Sequence, residues 1–281
     1  LFAAWFPVDR FAFLSGTVVA IGVLGNLLAA TPLTLLSMKF GWRMSFIIIS
    51  GINAVVVLVF LAIMRDRPKG HAPVPMQPGS LFSGLGRLLR MYSYWAISLS
   101  NFVRYGFFAA LQSLWAAPFL IYGLGLGEIS ASNAIFFMGL GYMIGLPFSG
   151  SLSDQVLRSR KKVVLSTMVV FCLLTLTLIW WSSSTSLWII FCTFFAIGLT
   201  ASPGQILYAH MKELLPASMI AQAMTAVNLF TTLGAGVMTH LLSLAAGSDP
   251  TGLAGPGAFC SLWYVGGGML AAVCLLYSLV P

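Results

Sequence analysis

Eight long apolar runs, separated by short polar segments, dominate this sequence of 281 residues. Each run is close to the roughly 20 residues that an α-helix needs to cross the hydrocarbon core of a bilayer. Because lipid cannot hydrogen-bond an exposed backbone, apolar runs of this length cross a bilayer as helices. They predict an all-α integral membrane protein with spans at about 13–36, 45–64, 95–119, 132–150, 163–181, 187–208, 219–243 and 259–279.

The composition excludes a soluble protein. Hydrophobic residues make up 59% of the chain and charged residues 7%, whereas soluble domains average about 25% charged residues. The formal charge of +8 would suggest nucleic acid in a soluble protein. Here the basic residues lie between apolar runs, so we expect them to contact lipid headgroups and we expect no nucleic-acid partner. The four cysteines show no CxxC pair, which predicts neither a disulfide framework nor a metal site.

The densest charge lies in the loop 150–162, which joins the fourth and fifth runs. Lysine and arginine are retained on the cytoplasmic side of a membrane. If this loop is cytoplasmic, eleven basic residues lie inside and two, Lys39 and Arg43, lie outside. The inside set is Arg10, Arg65, Arg67, Lys69, Arg87, Arg90, Arg158, Arg160, Lys161, Lys162 and Lys212. This asymmetry predicts the orientation, and we expect the protein in the cytoplasmic (inner) membrane of a bacterium.

A polar linker rich in proline and glycine, 65–94, divides the chain into three parts. We predict two transmembrane helices in 1–64, a cytoplasmic linker in 65–94 and six helices in 95–281. Within the linker, apolar residues recur at helical spacing and predict a short amphipathic helix on the inner membrane face. These residues are Leu81, Phe82, Leu85, Leu88 and Leu89. The chain begins at Leu1 without a methionine, and we interpret it as a piece of a longer protein.

The loop after the fourth run resembles a motif of the major facilitator superfamily, found there between the second and third helices of each half. The matching residues are Gly150, Leu152, Ser153, Asp154 and Arg158. Gln155 and Leu157 depart from the motif, and its second basic residue is delayed to Arg160. The segments Trp5-Phe6-Pro7 and Gly41-Trp42-Arg43 also resemble the family. The resemblance covers essentially the whole chain and implies helices five to twelve of a twelve-helix fold.

The resemblance implies secondary transport of a small solute by alternating access, in a protein that is monomeric at full length and needs no cofactor. It also implies that the loop motif is a conformational latch that holds the outward-facing state. The latch residues would be Gly150, Ser153, Asp154, Arg158 and Arg160. The alternative is a charged loop that only anchors the ends of the helices.

Arg104 lies inside a predicted span, nine residues beyond Trp95. That distance is about 14 Å along a helix, or half the hydrocarbon core. An unpaired cation at this depth costs at least a few kcal/mol, so it should face a wet cavity or a partner. One helical face carries Asn101, Arg104, Phe108, Gln112 and Trp115. We predict that this stripe lines the central cavity and that Arg104 binds an anionic group of the solute. The alternative is an ion pair with an acid on helices outside this chain.

Other polar positions are candidates for the same cavity. Asn228 and Thr232 lie at helical spacing with Thr225 and Thr239 in the seventh run. Asn26 is a strongly polar residue at depth in the first run, and it fits either the cavity or a hydrogen bond between helices. By contrast, small residues in the fourth run predict a surface of close helix packing, and Pro203-Gly204 predicts a break in the sixth.

All six acidic residues lie in loops or at span ends, so no carboxylate in this chain predicts a proton relay. His240 is the histidine placed inside a predicted span. A cationic site without nearby carboxylates favours an organic anion as the solute. Two alternatives stay open: a proton-coupled drug or metabolite exporter of the same fold, and a membrane sensor that does not transport. No catalytic constellation is evident, so we do not expect an enzyme.

Overall fold

The computed structural model describes residues 8–63, 86–153, 157–246 and 256–280, and most side chains before residue 39 lie outside this description. The chain divides into two compact units, Leu1–Gln77 and Pro78–Pro281. The division falls inside the predicted linker 65–94.

The described part of the first unit is a helix, α1, which spans Val8–Ile63 and is interrupted at Gly41. Gly41 has φ 75° and ψ 162°, a backbone conformation that is costly for residues with a Cβ. The interruption lies between the predicted runs 13–36 and 45–64, where a turn was expected. The side chain of Asn26 lies outside the described residues.

The described part of the second unit contains seven helices of ten or more residues and two π-helical segments. The second helix, α2 (Tyr92–Ala110), continues through the π segments Leu111–Trp115 and Phe119–Gly123, which flank the helical turn Ala116–Pro118. The remaining helices are α3 (Glu128–Ser151), α4 (Arg160–Thr177), α5 (Leu187–Ala201), α6 (Gly204–Glu213), α7 (Ala217–Ala246) and α8 (Cys260–Ser278).

Seven segments of the described chain are long and apolar enough to cross a membrane. They are Lys39–Ile63, Tyr92–Gly123, Glu128–Ser151, Arg160–Trp180, Leu187–Glu213, Met219–Ala246 and Gly257–Ser278. They coincide with the second to eighth predicted runs, and the first run, 13–36, is helical within α1. The predicted all-α membrane fold is therefore confirmed.

The break between α5 and α6 occurs at Ser202-Pro203, where the sequence predicted it. Pro203 has no N–H to donate to the carbonyl four residues earlier. That carbonyl belongs to Leu199, and it accepts a hydrogen bond from the Ser202 hydroxyl at 2.8 Å. The span continues past the break to Glu213. His210, which the predicted run 187–208 left outside, is therefore a buried residue of this span.

Small residues let two helix pairs approach closely. Gly141 of α3 faces the Phe195 carbonyl of α5, and Gly198 of α5 faces the Met138 carbonyl of α3; at both glycines a Cβ would overlap the opposing backbone. Gly106 of α2 and the Gly234 backbone of α7 meet in the same way. Backbone approach through small residues is how helices associate in lipid. The predicted packing surface on α3 is present.

Little of the predicted linker helix lies in the described chain. Residues 86–88 are helical, Leu88 is fully buried, and the Leu89 carbonyl accepts a hydrogen bond from the Trp95 indole at 2.8 Å. Leu81, Phe82 and Leu85 lie outside the described residues.

Candidate functional site

Arg104 lies in α2 with its side chain directed at the break between α5 and α6. Only 1% of the residue is exposed. Its Nη1 donates a hydrogen bond to the carbonyl of Ala201, the last residue of α5. Its Nη2 donates to Oδ1 of Asn101, one turn earlier, at 3.2 Å. Carbonyls in the last turn of a helix lack intrahelical partners. Arg104 therefore stabilises the end of α5 by binding a carbonyl that the break leaves unpaired.

Gly204, the first residue of α6, provides the space for this guanidinium. A Cβ at position 204 would collide with Nη2 of Arg104 and would lie 3.1 Å from Oδ1 of Asn101. The Pro203-Gly204 pair therefore contributes two things: the proline interrupts the helix, and the glycine leaves room for the arginine.

Asn101 connects Arg104 to a hydrogen-bond network on α6 and α7. Its Nδ2 donates to the hydroxyl of Thr231, which donates in turn to the Val227 carbonyl at 3.0 Å. The Tyr208 hydroxyl lies 2.9 Å from the Thr231 hydroxyl and donates to Oδ1 of Asn228 at 3.3 Å. The network thus joins α2, α6 and α7 around one buried cation.

The charge of Arg104 has no carboxylate partner among the residues that the structure describes. Its titratable neighbours there are the tyrosines Tyr142, Tyr208 and Tyr277, and its Nε has no hydrogen-bond partner. Tyr142 stacks on Phe108 with ring centroids 4.6 Å apart. Within the described ranges, no group of three or more His, Cys, Asp or Glu is placed to hold a metal ion. Among the described residues, the hydrogen bonds that compensate this cation come from neutral groups.

The predicted stripe is largely inside the second unit. Asn101, Arg104, Phe108 and Trp115 are buried there, and Gln112 is half-buried. The π segment Leu111–Trp115 changes the helical register between Phe108 and Trp115, which regular spacing did not anticipate. Whether the stripe lines a central cavity stays a prediction.

The predicted polar face of α7 is exposed on the second unit. Asn228 and Thr232 are both exposed, and the Thr232 hydroxyl donates to the Asn228 carbonyl at 3.1 Å. Asn26 is the one substrate-site candidate whose side chain lies outside the described residues. A substrate-binding role for these three residues stays a prediction.

Sequence reasoning missed Tyr208, Thr231 and Gly204. Thr231 lies three residues after Asn228, so a wider search around that predicted stripe could have included it. Tyr208 ends the predicted run 187–208 and carried no signal of its own. Gly204 was identified only as part of a helix break, because the sequence does not show which side chain occupies the space beside it.

The loop between α3 and α4 is held by Arg160. Its Nη1 donates to the hydroxyl of buried Ser153 at 3.0 Å, and its Nε forms an ion pair with Glu213 at 3.1 Å. The Ser159 hydroxyl accepts from the Lys162 N–H at 3.3 Å and caps α4. Glu213, at the end of α6, is a partner that the sequence did not predict.

The other predicted latch residues make fewer described contacts. Gly150 is half-buried near the end of α3, and Arg158 is exposed with φ 44°. Asp154 lies outside the described residues. The latch role of the motif stays a prediction.

The fold is similar to that of a solved transporter. A bacterial homologue of the human lysosomal transporter Spinster, in an inward-facing and unoccupied conformation, matches 99% of this chain and 70% of its own chain with a TM-score of 0.59. At 15% sequence identity, this likeness concerns the fold alone.

A curated relative is similar in sequence. "Putative transporter AraJ" of Escherichia coli (strain K12) is 29% identical over 229 residues. The match covers 78% of this chain but only 54% of the relative, so the chain spans about half of that protein's length.

A family model gives the broadest match. The description of that model is Major Facilitator Superfamily, and it matches residues 1–239. The match covers the whole of the first unit, the Arg104 network and the loop between α3 and α4. With the membrane spans and the structural likeness in agreement, the chain belongs to the Major Facilitator Superfamily.

Proposed function

We propose that this chain is part of a secondary transporter that moves a small organic anion across a membrane by alternating access. Family membership and the seven candidate spans support transport as the activity. The transporter would rock its two halves about a site near the middle of the membrane. We further propose a monomer in contact with lipid, in the inner membrane of a bacterium, with the loop 150–162 on the cytoplasmic side.

One observation supports an anionic solute: Arg104 is buried without a carboxylate partner among the described residues. Burying a charge costs several kcal/mol unless a partner compensates it. The Ala201 carbonyl and the Asn101 amide are dipoles, so they offset only part of that cost. A carboxylate or phosphate on the solute would neutralise the guanidinium, and arginine binds such groups with paired hydrogen bonds. The Nε donor is buried without a partner in this conformation, and it would form one of these bonds in a conformation that opens the site.

Binding of the anion at Arg104 would act on the helix break. Nη1 is bound to the Ala201 carbonyl in this conformation. A solute that attracts the guanidinium would weaken this bond and free the end of α5 to reorient at Pro203. The same change would then reach the loop between α3 and α4, which carries the latch residues Gly150, Ser153, Asp154, Arg158 and Arg160.

A second candidate is favoured by the completeness of the Arg104 burial. With 1% of its surface exposed and two bonds to α2 and α5, Arg104 also fits a purely structural clamp. The solute would then be a neutral or cationic amphiphile, exported with an acidic residue supplied by the rest of the protein.

Transport by the full-length protein in proteoliposomes, with a panel of labelled organic anions, separates the two candidates. We expect one anion to be taken up, Arg104→Gln to bind it roughly 10- to 100-fold more weakly, as loss of a charged hydrogen bond implies, and Arg104→Lys to retain part of the binding. The matched control is Arg90→Gln, which removes an exposed arginine just before α2.

Folding is checked separately, by thermal unfolding with and without the anion. The anion should raise the unfolding temperature of the wild type and of the control, but not that of Arg104→Gln. Uptake that is unchanged in Arg104→Gln would show that the arginine is structural and would favour the exporter.

A further inference from the structure

A cavity lined by charged and polar side chains lies at the loop between α3 and α4. It has a volume of about 570 Å³ and is bounded by the end of α3, the loop residues before α4, the start of α4 and the last turns of α6. None of its lining residues belongs to the hydrogen-bond network of Arg104 and Asn101. Its volume lies within the range of ordinary ligand sites, about 300–1,000 Å³.

The described lining of this cavity is cationic. Arg158, Arg160 and Lys161 line it, against a single carboxylate, that of Glu213. Glu213 is already paired with Nε of Arg160. Lys161 donates from Nζ to the Val280 carbonyl, which orients the ammonium group without neutralising it. Among the described residues, the lining therefore carries an excess of positive charge that an anion would offset.

Hydroxyl and imidazole groups complete the lining. Ser153 and Ser159 lie beside the cations, and His210 is buried at the inner wall. The His210 Nδ1 lies 2.7 Å from the Tyr277 hydroxyl, which holds the ring in place. Arginine, lysine and hydroxyl donors around one concave space are the groups that bind phosphate oxygens.

The position of the cavity along the spans indicates where the phosphate comes from. It lies where the spans Glu128–Ser151 and Leu187–Glu213 end and where Arg160–Trp180 begins. Span ends mark the boundary between hydrocarbon and headgroups, and basic pockets between helices at this level bind anionic headgroups. A phosphate at this depth is therefore most readily supplied by the membrane itself.

We propose that this cavity binds the phosphate group of an anionic phospholipid, with Arg158 and Lys161 as the main cationic contacts. Arg160, paired with Glu213 and Ser153, forms the wall of the site. Three lining residues, Ser153, Arg158 and Arg160, also belong to the predicted latch. The site is therefore tested by lipid binding and not by transport, and the result does not depend on the solute proposed above.

Binding of a fluorescent short-chain phosphatidylglycerol to the full-length protein in neutral detergent tests the site. The test variant is Arg158→Gln with Lys161→Gln. The matched control is Lys162→Gln with Lys212→Gln, which removes the same charge from exposed side chains that do not line the cavity. At about 1 kcal/mol per basic residue near a charged surface, the test variant should bind roughly 30-fold more weakly, and the control should stay within about twofold of wild type.

A second variant and a second ligand make the result decisive. The charge-conserving variant Arg158→Lys with Lys161→Arg should retain binding, which separates lost charge from lost folding. Inorganic phosphate that binds in place of the lipid, with the same dependence on the variants, would keep the phosphate site but assign it to a soluble compound. Equal losses in test and control variants, or no loss in either, would overturn the proposal, because both results mean that no specific site exists.

Discussion

Arg104 and Gly204 occupy complementary space: the guanidinium of Arg104 lies where a side chain at position 204 would begin. The two residues are on different helices and 100 positions apart. The contact links a buried cation in the middle of one span to the broken backbone of another. It explains why the helix break contains a glycine as well as a proline.

Gly204→Ala should destabilise this chain by about 1–3 kcal/mol, the usual cost of overpacking a well-filled site. The new methyl group would displace Nη2 of Arg104. Only 1% of Arg104 is exposed, so its side chain has no free space to move into. Thermal or denaturant unfolding in detergent measures the change. The control is Gly236→Ala in α7, where a Cβ meets nothing within 4 Å. A Gly204→Ala variant as stable as that control would contradict the packing of Arg104 at the break.

Gly198→Ala should destabilise the contact between α3 and α5 by a similar or larger amount. A Cβ at this position would overlap the Met138 carbonyl and lie 2.8 Å from the Tyr142 backbone nitrogen. Because both atoms belong to the backbone of α3, a side-chain rotation cannot relieve the overlap. Gly268→Ala, in open space on α8, should instead be neutral or stabilising by about 0.5–1 kcal/mol. The difference between the unfolding free energies of the two variants is the measurement, and no difference would refute close packing at Gly198.

Thr231→Val should cost about 1–3 kcal/mol because it removes the hydrogen-bond partner of the buried Asn101 amide nitrogen. The lost hydroxyl accepts from Asn101 and contacts Tyr208. Thr232→Val removes a neighbouring hydroxyl that is exposed and bonds to its own helix, and it should change stability by less than about 0.5 kcal/mol. In the transport assay, Thr231→Val should also weaken binding of the anion, since Asn101 would no longer be held beside Arg104. Equal effects of the two substitutions would argue against the network.

The ion pair of Arg160 and Glu213 should contribute little to stability. The two side chains are 26% and 54% exposed, and pairs in contact with water are worth about 0.2–1 kcal/mol. A double-mutant cycle with Arg160→Gln and Glu213→Gln should give a coupling energy in this range. The coupling should decrease as salt is raised. A coupling above about 2 kcal/mol would show instead that this pair is a strong structural contact.

Much of the architecture was predictable from local composition. The length of each apolar run predicted the spans because the thickness of a bilayer sets the number of residues that a crossing helix needs. Pro203 predicted the break for an equally local reason, the missing N–H. The boundaries were less accurate: the sixth predicted run stopped at residue 208, whereas α6 continues to Glu213 and brings His210 and Glu213 to the loop between α3 and α4.

The candidate site was predictable only in part. The depth and charge of Arg104 identified it as a residue that needs a partner, and the spacing placed Asn101 on the same face. The same reasoning chose Thr232 rather than Thr231 as a candidate. Helical spacing orders residues around one axis, but it contains no information about which neighbouring helix packs on each side.

The sequence by itself therefore determined the membrane environment, the helical spans and the position of a cation that cannot stay unpaired. These follow from hydrophobic length and the cost of burying charge, which depend on residues close together in the chain. Only the tertiary structure decided that Arg104 meets the Ala201 carbonyl, that Gly204 makes room for it, and that Arg160 pairs with Glu213. Those contacts join residues that are far apart in the chain, and they exist because the close approach of helices through small residues brings particular faces together.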